Sequence, residues 1–314
     1  MSGPSAHRPL RLAVCFGRGA DETQAWVSAL AAALPAWAVG ADLADADYAV
    51  AWRAPQAFFD GQRTLKAIFA AGAGVDALLA QRLPAGVPVV RLEDAGMADQ
   101  MADHVTHALL HHLRDAPHYA AEQAAGRWSP RPAQAKADWP VGVMGLGQLG
   151  RAVVQRVRLL GFPVAGWSRS AHDLAGVPTF AGADGFAPFL AGTRALVDVL
   201  PLTPDTRDLV DAACLARLRP GAVFINVARG GHVVEQDLLD ALDGGWLAGA
   251  SLDVCRDEPP PPGHPFWTHP RVVLTPHIAA MTLRDASVAQ IVAKLHALER
   301  GEAVGGVVSH ERGY

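Results

Sequence analysis

A glycine-rich turn near the middle of the chain constrains the fold more than any other feature. Residues 141–150 read VGVMGLGQLG, in which Gly145, Gly147 and Gly150 have the spacing GxGxxG. A short apolar run precedes the turn, and a stretch with helical periodicity follows it. Glycine allows both the sharp reversal of the chain and the close packing of a helix on the preceding strand. A strand–turn–helix unit of this kind predicts an α/β fold with parallel sheets.

Apolar runs continue the alternation of strands and helices through both halves of the chain. Strands are predicted at 10–16, 47–52, 65–69, 87–92, 141–144, 162–167, 195–200, 222–227, 249–254 and 272–274. Helices are predicted at 97–115, 148–160 and 284–300, and an earlier one should begin at Asp21 as its N-cap. The segment 126–140 carries three prolines and two tryptophans, which predicts a connection or protruding arm.

The glycine turn also predicts a dinucleotide site, because a helix N-terminus presents amide donors and a partial positive charge to a pyrophosphate. An NAD-preferring fold usually places an acidic residue about twenty residues further on. Residues 166–170 read GWSRS there and contain no acid. Arg169 can pair with a 2′-phosphate, and Ser168 and Ser170 can donate hydroxyls. NADP(H) is therefore expected in preference to NAD(H).

Composition argues against several classes of partner. The formal net charge is −4 and no run of lysine or arginine occurs, so neither nucleic acid nor a membrane is expected as a partner. The three cysteines, Cys15, Cys214 and Cys255, are far apart, which predicts a reducing compartment and a cytoplasmic protein. A row of histidines, His104, His107 and His111, lacks the cysteine or carboxylate that would complete a metal site, so no metal is expected.

Three more segments follow the glycine turn: INVARGG at 225–231, DVCRDEP at 253–259 and LTPHIAA at 274–280. With the turn, this order resembles the D-isomer-specific 2-hydroxyacid dehydrogenase family over nearly the whole chain. Shorter features are similar to the bacterial glyoxylate/hydroxypyruvate reductase A group of that family. They are FAAGAGVD, RLEDAGM, GWSR, the EPxPP loop and the terminal RGY.

The resemblance implies a catalytic trio of Arg229, Glu258 and His277. The chemistry suits these residue types, because the carboxylate and carbonyl of a 2-oxo acid favour a planar, permanently charged donor such as Arg229. His277 can give the carbonyl oxygen its proton near neutral pH, and Glu258 can orient the imidazolium. The expected reactions are glyoxylate to glycolate and hydroxypyruvate to D-glycerate, with NADPH as reductant.

The expected architecture is two Rossmann/flavodoxin-like lobes with parallel sheets and an active-site cleft between them. Residues 1–101 plus 282–314 would form the substrate-binding lobe, and 102–281 the NADP-binding lobe. The family also implies a homodimer, with Trp128 and Trp139 in an arm at the subunit interface.

The predicted contacts fall into two sets. The cofactor set is Gly145, Leu146, Gly147, Gln148, Leu149, Gly150, Ser168, Arg169, Ser170, Leu200, Pro201, Thr206, Ala228, Arg229, Asp253, His277 and Ala279. The substrate set is Trp52, Gly72, Ala73, Gly74, Met97, Arg229 and His277. Asp253 would hold the nicotinamide carboxamide, whereas core packing explains Trp52 and Met97 equally well. Many members of the family have a histidine where this chain has Leu200, which leaves the detail of the cofactor contacts open.

Alternatives remain on the same scaffold. The substrate could be a bulkier 2-oxo acid such as phenylpyruvate, or the chain could be a non-catalytic NADP(H) sensor. Formate dehydrogenases are disfavoured because they carry glutamine where Glu258 stands. Phosphoglycerate dehydrogenases are disfavoured because they are usually longer and linked to NAD.

Overall fold

The computed structural model describes residues 8–17, 19–41 and 43–309. The terminal RGY motif lies outside the described residues. The chain divides into two compact units, of which the first takes in the residues up to Gly96 and those from Thr282 onward. The second unit runs from Met97 to Met281. It begins at Met97, earlier than the predicted residue 102, because a continuous helix starts there.

The first unit contains a five-stranded parallel sheet in the order β2-β1-β3-β4-β5. Its strands are β1 (Arg11–Phe16), β2 (Ala38–Gly40), β3 (Tyr48–Trp52), β4 (Ala67–Ala70) and β5 (Val89–Arg91). Its helices are α1 (Ala20–Ala33), α2 (Gln56–Asp60), α3 (Asp76–Leu79) and, from the end of the chain, α10 (Arg284–Glu299). Every residue of β4 is buried, as expected for a parallel strand covered on both faces.

The second unit contains a seven-stranded parallel sheet in the order β12-β11-β10-β9-β6-β7-β8. Its strands are β6 (Val141–Met144), β7 (Val164–Ser168), β8 (Thr179–Ala181), β9 (Ala195–Asp198), β10 (Ala222–Asn226), β11 (Leu247–Leu252) and β12 (Val272–Leu274). Its helices are α4 (Met97–Leu113), α5 (Ala116–Ala124), α6 (Gln148–Leu159), α7 (Gly182–Ala191), α8 (Ala212–Leu215) and α9 (Glu235–Asp243). Three short 3₁₀ turns lie at Lys136–Asp138, Gly230–His232 and Pro265–Trp267.

The strand order reverses between β6 and β9, which are neighbours although β7 and β8 lie between them in sequence. In open α/β sheets, ligands bind at such a switch point, beyond the carboxyl ends of the strands. Residues of β10 alternate between the two faces: Val223 and Ile225 pack with α4 and α6, whereas Phe224 packs with α7 and α9. Helices therefore cover both faces, and the expected fold class of two parallel α/β lobes is confirmed.

Local differences from the predicted elements have physical causes. Helix α1 begins at Ala20 after Gly19, so the prediction of Asp21 as N-cap is wrong; Asp21 lies inside the first turn. The interface prediction is wrong for Trp139, which is 2% exposed in the core of its own unit. The indole of Trp139 donates to Gln134 Oε1 at 3.0 Å, and the Arg194 guanidinium lies 4.6 Å from the ring centre. Trp128, in the same arm, is 98% exposed.

Candidate active site

The glycine turn has the geometry of a phosphate-binding loop. Gly145 has φ +98°, and a Cβ there would lie 2.8 Å from the carbonyl oxygen of Val199. A Cβ on Gly150 would lie 1.9 Å from the Gly145 oxygen, so helix α6 needs glycine to approach the strand. At Gly147, no described neighbour lies within 4 Å of the Cβ position. The N-cap of α6 is Gly147, which has no side chain to accept from the first amides of the helix.

The residues after β7 divide into a structural serine and an exposed arginine. Ser168 is 7% exposed, and its hydroxyl donates to the Ser170 carbonyl at 2.8 Å. Ser168 thus shapes the turn, whereas Arg169 and Ser170 lie at the surface. No acidic side chain occurs between 166 and 170, and a 2′-phosphate would meet no like charge from this segment.

A second guanidinium, not among the residues predicted from the sequence, belongs to the same region. Arg151 follows the last glycine of the turn; its Nε donates to the Leu146 carbonyl at 2.9 Å, and its Nη2 lies 3.0 Å from His172 Nδ1. The sequence signal that could have identified this residue is its position directly after the GxGxxG spacing. Its cationic charge adds to the positive N-terminus of α6.

Glu258 and His277 form a close pair. His277 Nδ1 lies 2.8 Å from Glu258 Oε2. The histidine side chain is 32% exposed and the glutamate side chain 28% exposed. A carboxylate at Nδ1 fixes the ring orientation and points Nε2 away from the pair. The structure thus brings together two members of the predicted trio, and Nε2 is the ring nitrogen placed to exchange a proton with a bound ligand.

The loop that carries His277 is held by Asp253, which is 2% exposed. Asp253 Oδ1 accepts from Thr275 Oγ1 at 2.6 Å and from the Ile278 amide at 2.9 Å, and Oδ2 accepts from the Ala279 amide at 2.7 Å. His277 has φ +57°, a conformation that costs a residue with a Cβ on the order of 1–3 kcal/mol. The three bonds to Asp253 over-determine this conformation. Contact of Asp253 with a nicotinamide stays a prediction.

Arg229 lies in a tightly built loop after β10. Asn226 frames this loop, because its Nδ2 donates to the Arg229 carbonyl at 3.0 Å and its Oδ1 accepts from the Ala228 amide at 3.0 Å. A Cβ on Gly230 would lie 1.9 Å from the carbonyl carbon of Cys255, so the loop rests directly on the segment that leads to Glu258. The Arg229 guanidinium donates to the Ala228 carbonyl at 2.7 Å.

The predicted cofactor residues after β9 are packed against their own loop. Leu200 is 8% exposed, and Thr206 Oγ1 donates to the Pro201 carbonyl at 2.7 Å. Ala228 and Ala279 are 6% and 2% exposed, so their side chains belong to the core. Contact of these residues with a cofactor stays a prediction.

A buried pair beside this loop has no counterpart among the residues predicted from the sequence. Asp198, the last residue of β9, has Oδ2 at 2.7 Å from His232 Nδ1, and both side chains are fully buried. Burial lowers the pKa of His232, but the charge and hydrogen bonding of Asp198 outweigh it, so the pKa is raised overall. The two partners are so far apart in the chain that no local sequence signal connects them.

In the first unit, the structure brings Trp52 and Gly72 together. A Cβ on Gly72 would lie 2.4 Å from the Trp52 ring, so this turn needs glycine to pass the indole. Ala73 and Gly74 are partly exposed beyond it, at the carboxyl ends of β3 and β4. Met97 belongs to the second unit and is 3% exposed, which favours core packing for this residue.

The remaining polar features belong to the packing. Burial raises the pKa of the Cys255 thiol to about 12, with the charges of Glu235, Glu258 and Asp253 adding to it, so Cys255 stays protonated.

Among the described residues, no group of three or more His, Cys, Asp or Glu side chains is placed to hold a metal. Within the same residues, every helix is too short or too polar to span a bilayer.

Comparison with known proteins identifies the family of this chain. The family model for the NAD binding domain of D-isomer specific 2-hydroxyacid dehydrogenases matches residues 106–279. A glyoxylate/hydroxypyruvate reductase A from Serratia proteamaculans (strain 568) is 45% identical over 300 residues, or 92% of this chain and 96% of that protein.

Two solved structures are similar over nearly their whole length. A D-isomer specific 2-hydroxyacid dehydrogenase from Xanthobacter autotrophicus Py2, in complex with NADPH and MES, has 41% identity and a TM-score of 0.91, with 98% of this chain and 100% of that chain covered. An NADPH-dependent glyoxylate/hydroxypyruvate reductase from Sinorhizobium meliloti, in complex with NADP and sulfate, has 36% identity and a TM-score of 0.91, with 97% and 100% covered. By the matched span and these identities, the chain belongs to the D-isomer specific 2-hydroxyacid dehydrogenase family.

Proposed function

We propose that this protein reduces small 2-oxo acids with NADPH, converting glyoxylate to glycolate and hydroxypyruvate to D-glycerate. The observation that carries the proposal is the Glu258–His277 pair, at 2.8 Å, on the unit that also carries the glycine turn. The names of the relatives from Serratia proteamaculans and Sinorhizobium meliloti support the same reaction.

The residues around the turn fit NADPH. Gly147 leaves open space at the N-terminus of α6, where a pyrophosphate would meet backbone amides. Arg169 is exposed at the position where an NAD-preferring chain would carry an acid, and Arg151 adds a second guanidinium nearby. We assign the 2′-phosphate to this arginine-bearing surface.

Each member of the trio has a separate role. When bound, NADPH supplies the hydride that the substrate carbon accepts. Arg229 binds the substrate carboxylate and polarises the carbonyl, because its guanidinium carries a permanent charge and several donors. His277 donates a proton from Nε2 to the carbonyl oxygen, which becomes the hydroxyl of the product. Glu258 holds the ring through Nδ1 throughout the transfer.

The first unit contributes Trp52 and the turn at 72–74 to substrate binding in this proposal. Trp52 lies against Gly72 and fills the space that a side chain there would take. A large indole beside the turn favours small acids over phenylpyruvate.

The proposal is tested by initial rates of NAD(P)H oxidation, with NADPH and NADH each combined with glyoxylate, hydroxypyruvate, pyruvate and phenylpyruvate. We expect fast turnover of glyoxylate and hydroxypyruvate with NADPH, and loss of about 10²–10⁴ in kcat for His277→Ala with NADPH binding intact. Tight NADPH binding without turnover of any acid would instead indicate a sensor.

We also propose that the protein is a cytoplasmic homodimer. Trp128 supports the dimer, because its indole is 98% exposed and a subunit contact would remove this apolar area from water. Light scattering on the purified protein should give twice the mass of 33.0 kDa, and the mass of a single chain would contradict the dimer.

A further inference from the structure

A buried ion pair joins two loops of the second unit. Asp198 and His232 are both fully buried, with 2.7 Å between Oδ2 and Nδ1. Asp198 ends β9 directly opposite Asn226 of β10, and His232 ends the 3₁₀ turn that follows Arg229. The pair therefore bridges the carboxyl ends of two adjacent parallel strands.

Both partners are attached to loops that the proposed function uses. Asp198 Oδ1 accepts from the Leu200 amide at 3.0 Å, so the carboxylate also holds the start of the loop predicted to line the cofactor. The His232 amide donates to the Arg229 carbonyl at 3.3 Å, which closes the turn that begins with Arg229. The position of Arg229 is thus connected to Asp198 through one imidazole ring.

An ion pair at this depth is weak evidence for a contribution to stability. Replacing a buried pair by apolar residues is often neutral or stabilising, whereas removing one partner leaves a buried charge without compensation. Three groups act on the His232 ring besides burial: Asp198 and the Pro201 carbonyl favour its protonated form, and Arg229 opposes it. The net effect raises the pKa of His232, so the ring favours its charged form beside Asp198 more than a free histidine does.

We propose that the Asp198–His232 pair is a positioning pair that sets the Arg229 loop for binding of the substrate carboxylate. The inference rests on the proposed function, because it assigns the pair to the same 2-oxo acid reaction. Neither residue contacts a reacting atom; both act through Arg229.

The test compares three variants with the wild-type protein. His232→Leu removes the ring and leaves Asp198 as an unpaired buried carboxylate. Asp198→Asn/His232→Leu removes that charge as well, while the amide oxygen of the introduced asparagine can still accept from the Leu200 amide. Asp198→Asn alone removes the negative charge and keeps a polar amide of nearly the same size beside the ring. The matched control is His112→Leu, which removes another buried histidine of the same unit, one that bonds to Ser251 at 3.0 Å.

Four quantities are measured for each protein: the Tm, the Kd for NADPH by fluorescence, and the KM and kcat for glyoxylate at saturating NADPH. We expect His232→Leu to lower the Tm by several degrees, and the double variant to recover most of that loss. The KM of both should stay raised about tenfold or more, with a smaller change in kcat and a nearly unchanged Kd. Asp198→Asn should retain a KM within about threefold, and His112→Leu should lower the Tm only.

A KM that returns to the wild-type value together with the Tm in the double variant would overturn the positioning role and leave a purely structural pair. An equal rise in KM for His112→Leu would overturn it too. Absence of wild-type turnover with glyoxylate and hydroxypyruvate would instead sink the proposed function, and this inference with it. Wild-type activity with unchanged KM in every variant would remove the inference alone.

Discussion

Single side chains decide the chemistry that this fold performs. The 2.8 Å contact between Glu258 and His277 orients a ring nitrogen, and Arg169 occupies the place of an acid that would repel a phosphate. Ser168 shows the opposite case, since its hydroxyl is bonded to the Ser170 carbonyl at 2.8 Å and serves the turn. The type of a residue in a motif therefore indicates its function only when its hydrogen-bond partners are also known.

The cofactor preference can be tested at Arg169. Arg169→Asp places a carboxylate where the 2′-phosphate of NADPH would bind, so repulsion should lower kcat/KM for NADPH by about 10²-fold or more. The same carboxylate can accept from the ribose 2′-hydroxyl of NADH, and kcat/KM for NADH should rise.

Initial rates with both cofactors measure this change in preference. Arg127→Asp is the matched control, because Arg127 is also an exposed arginine of the second unit and pairs with Glu122. An unchanged ratio of NADPH to NADH in Arg169→Asp would show that this residue does not read the phosphate.

At the scale of elements, the ends of parallel strands collect the polar groups. Asp198, Asn226 and Asp253 stand at or just after the carboxyl ends of β9, β10 and β11. Each accepts backbone amides of the loop that follows or lies beside it, with bonds to Leu200, Ala228 and Ala279 respectively. In these three loops, buried carboxylate or amide oxygens replace the water that the backbone amides would otherwise bind.

The loop after β12 provides an element-scale prediction. Asp253→Ala removes the acceptor of two amides and one hydroxyl, so the left-handed conformation of His277 should relax. We expect kcat for glyoxylate to fall by about 10²-fold, since the general acid loses its position.

Circular dichroism should show that the Asp253→Ala protein remains folded. Asp243→Ala is the control, because Asp243 also bonds a loop histidine but is 76% exposed. If kcat of Asp253→Ala matched that of the wild type, the loop would not depend on this carboxylate.

At the scale of the whole molecule, two buried histidines give stability opposite dependences on pH. Burial, with the charge of His111 adding to it, lowers the pKa of His112 to about 4. His112 therefore stays neutral in the folded protein but takes up a proton in the unfolded chain below about 6.5. Its contribution is complete above that pH and is lost as the pH falls toward 4. For His232 the folded pKa is raised, so its contribution is present below about 6.5 and is lost as the pH rises through the folded pKa.

The loss of stability below neutral pH, which we attribute to His112, can be measured directly. Between pH 7 and pH 5, His112 should account for a loss of about 2 kcal/mol in the free energy of unfolding. Urea unfolding of the wild type and of His112→Gln at both pH values measures it, because glutamine does not titrate. Equal pH dependence in the two proteins would contradict the assignment.

Local sequence was sufficient for much of this fold. The GxGxxG spacing predicted the turn between β6 and α6, and apolar runs located most strands to within a few residues, because burial on both faces requires continuous apolar sequence. The short strands β2 and β8 were missed, since three partly exposed residues each carry too little pattern. The catalytic roles of Arg229, Glu258 and His277 were predicted from the family resemblance.

The sequence by itself determined which segments form helices and strands, and which types of side chain lie near the ends of those segments. The tertiary structure alone decided which distant groups meet: Asp198 with His232, Asp253 with the loop of His277, and Arg151 with His172. It also placed Trp139 in the core, whereas the sequence predicted that this residue lies in an arm at the subunit interface. The reason is physical, since periodicity encodes which face of an element is buried. Contacts between residues far apart in sequence depend instead on the order in which the strands pair.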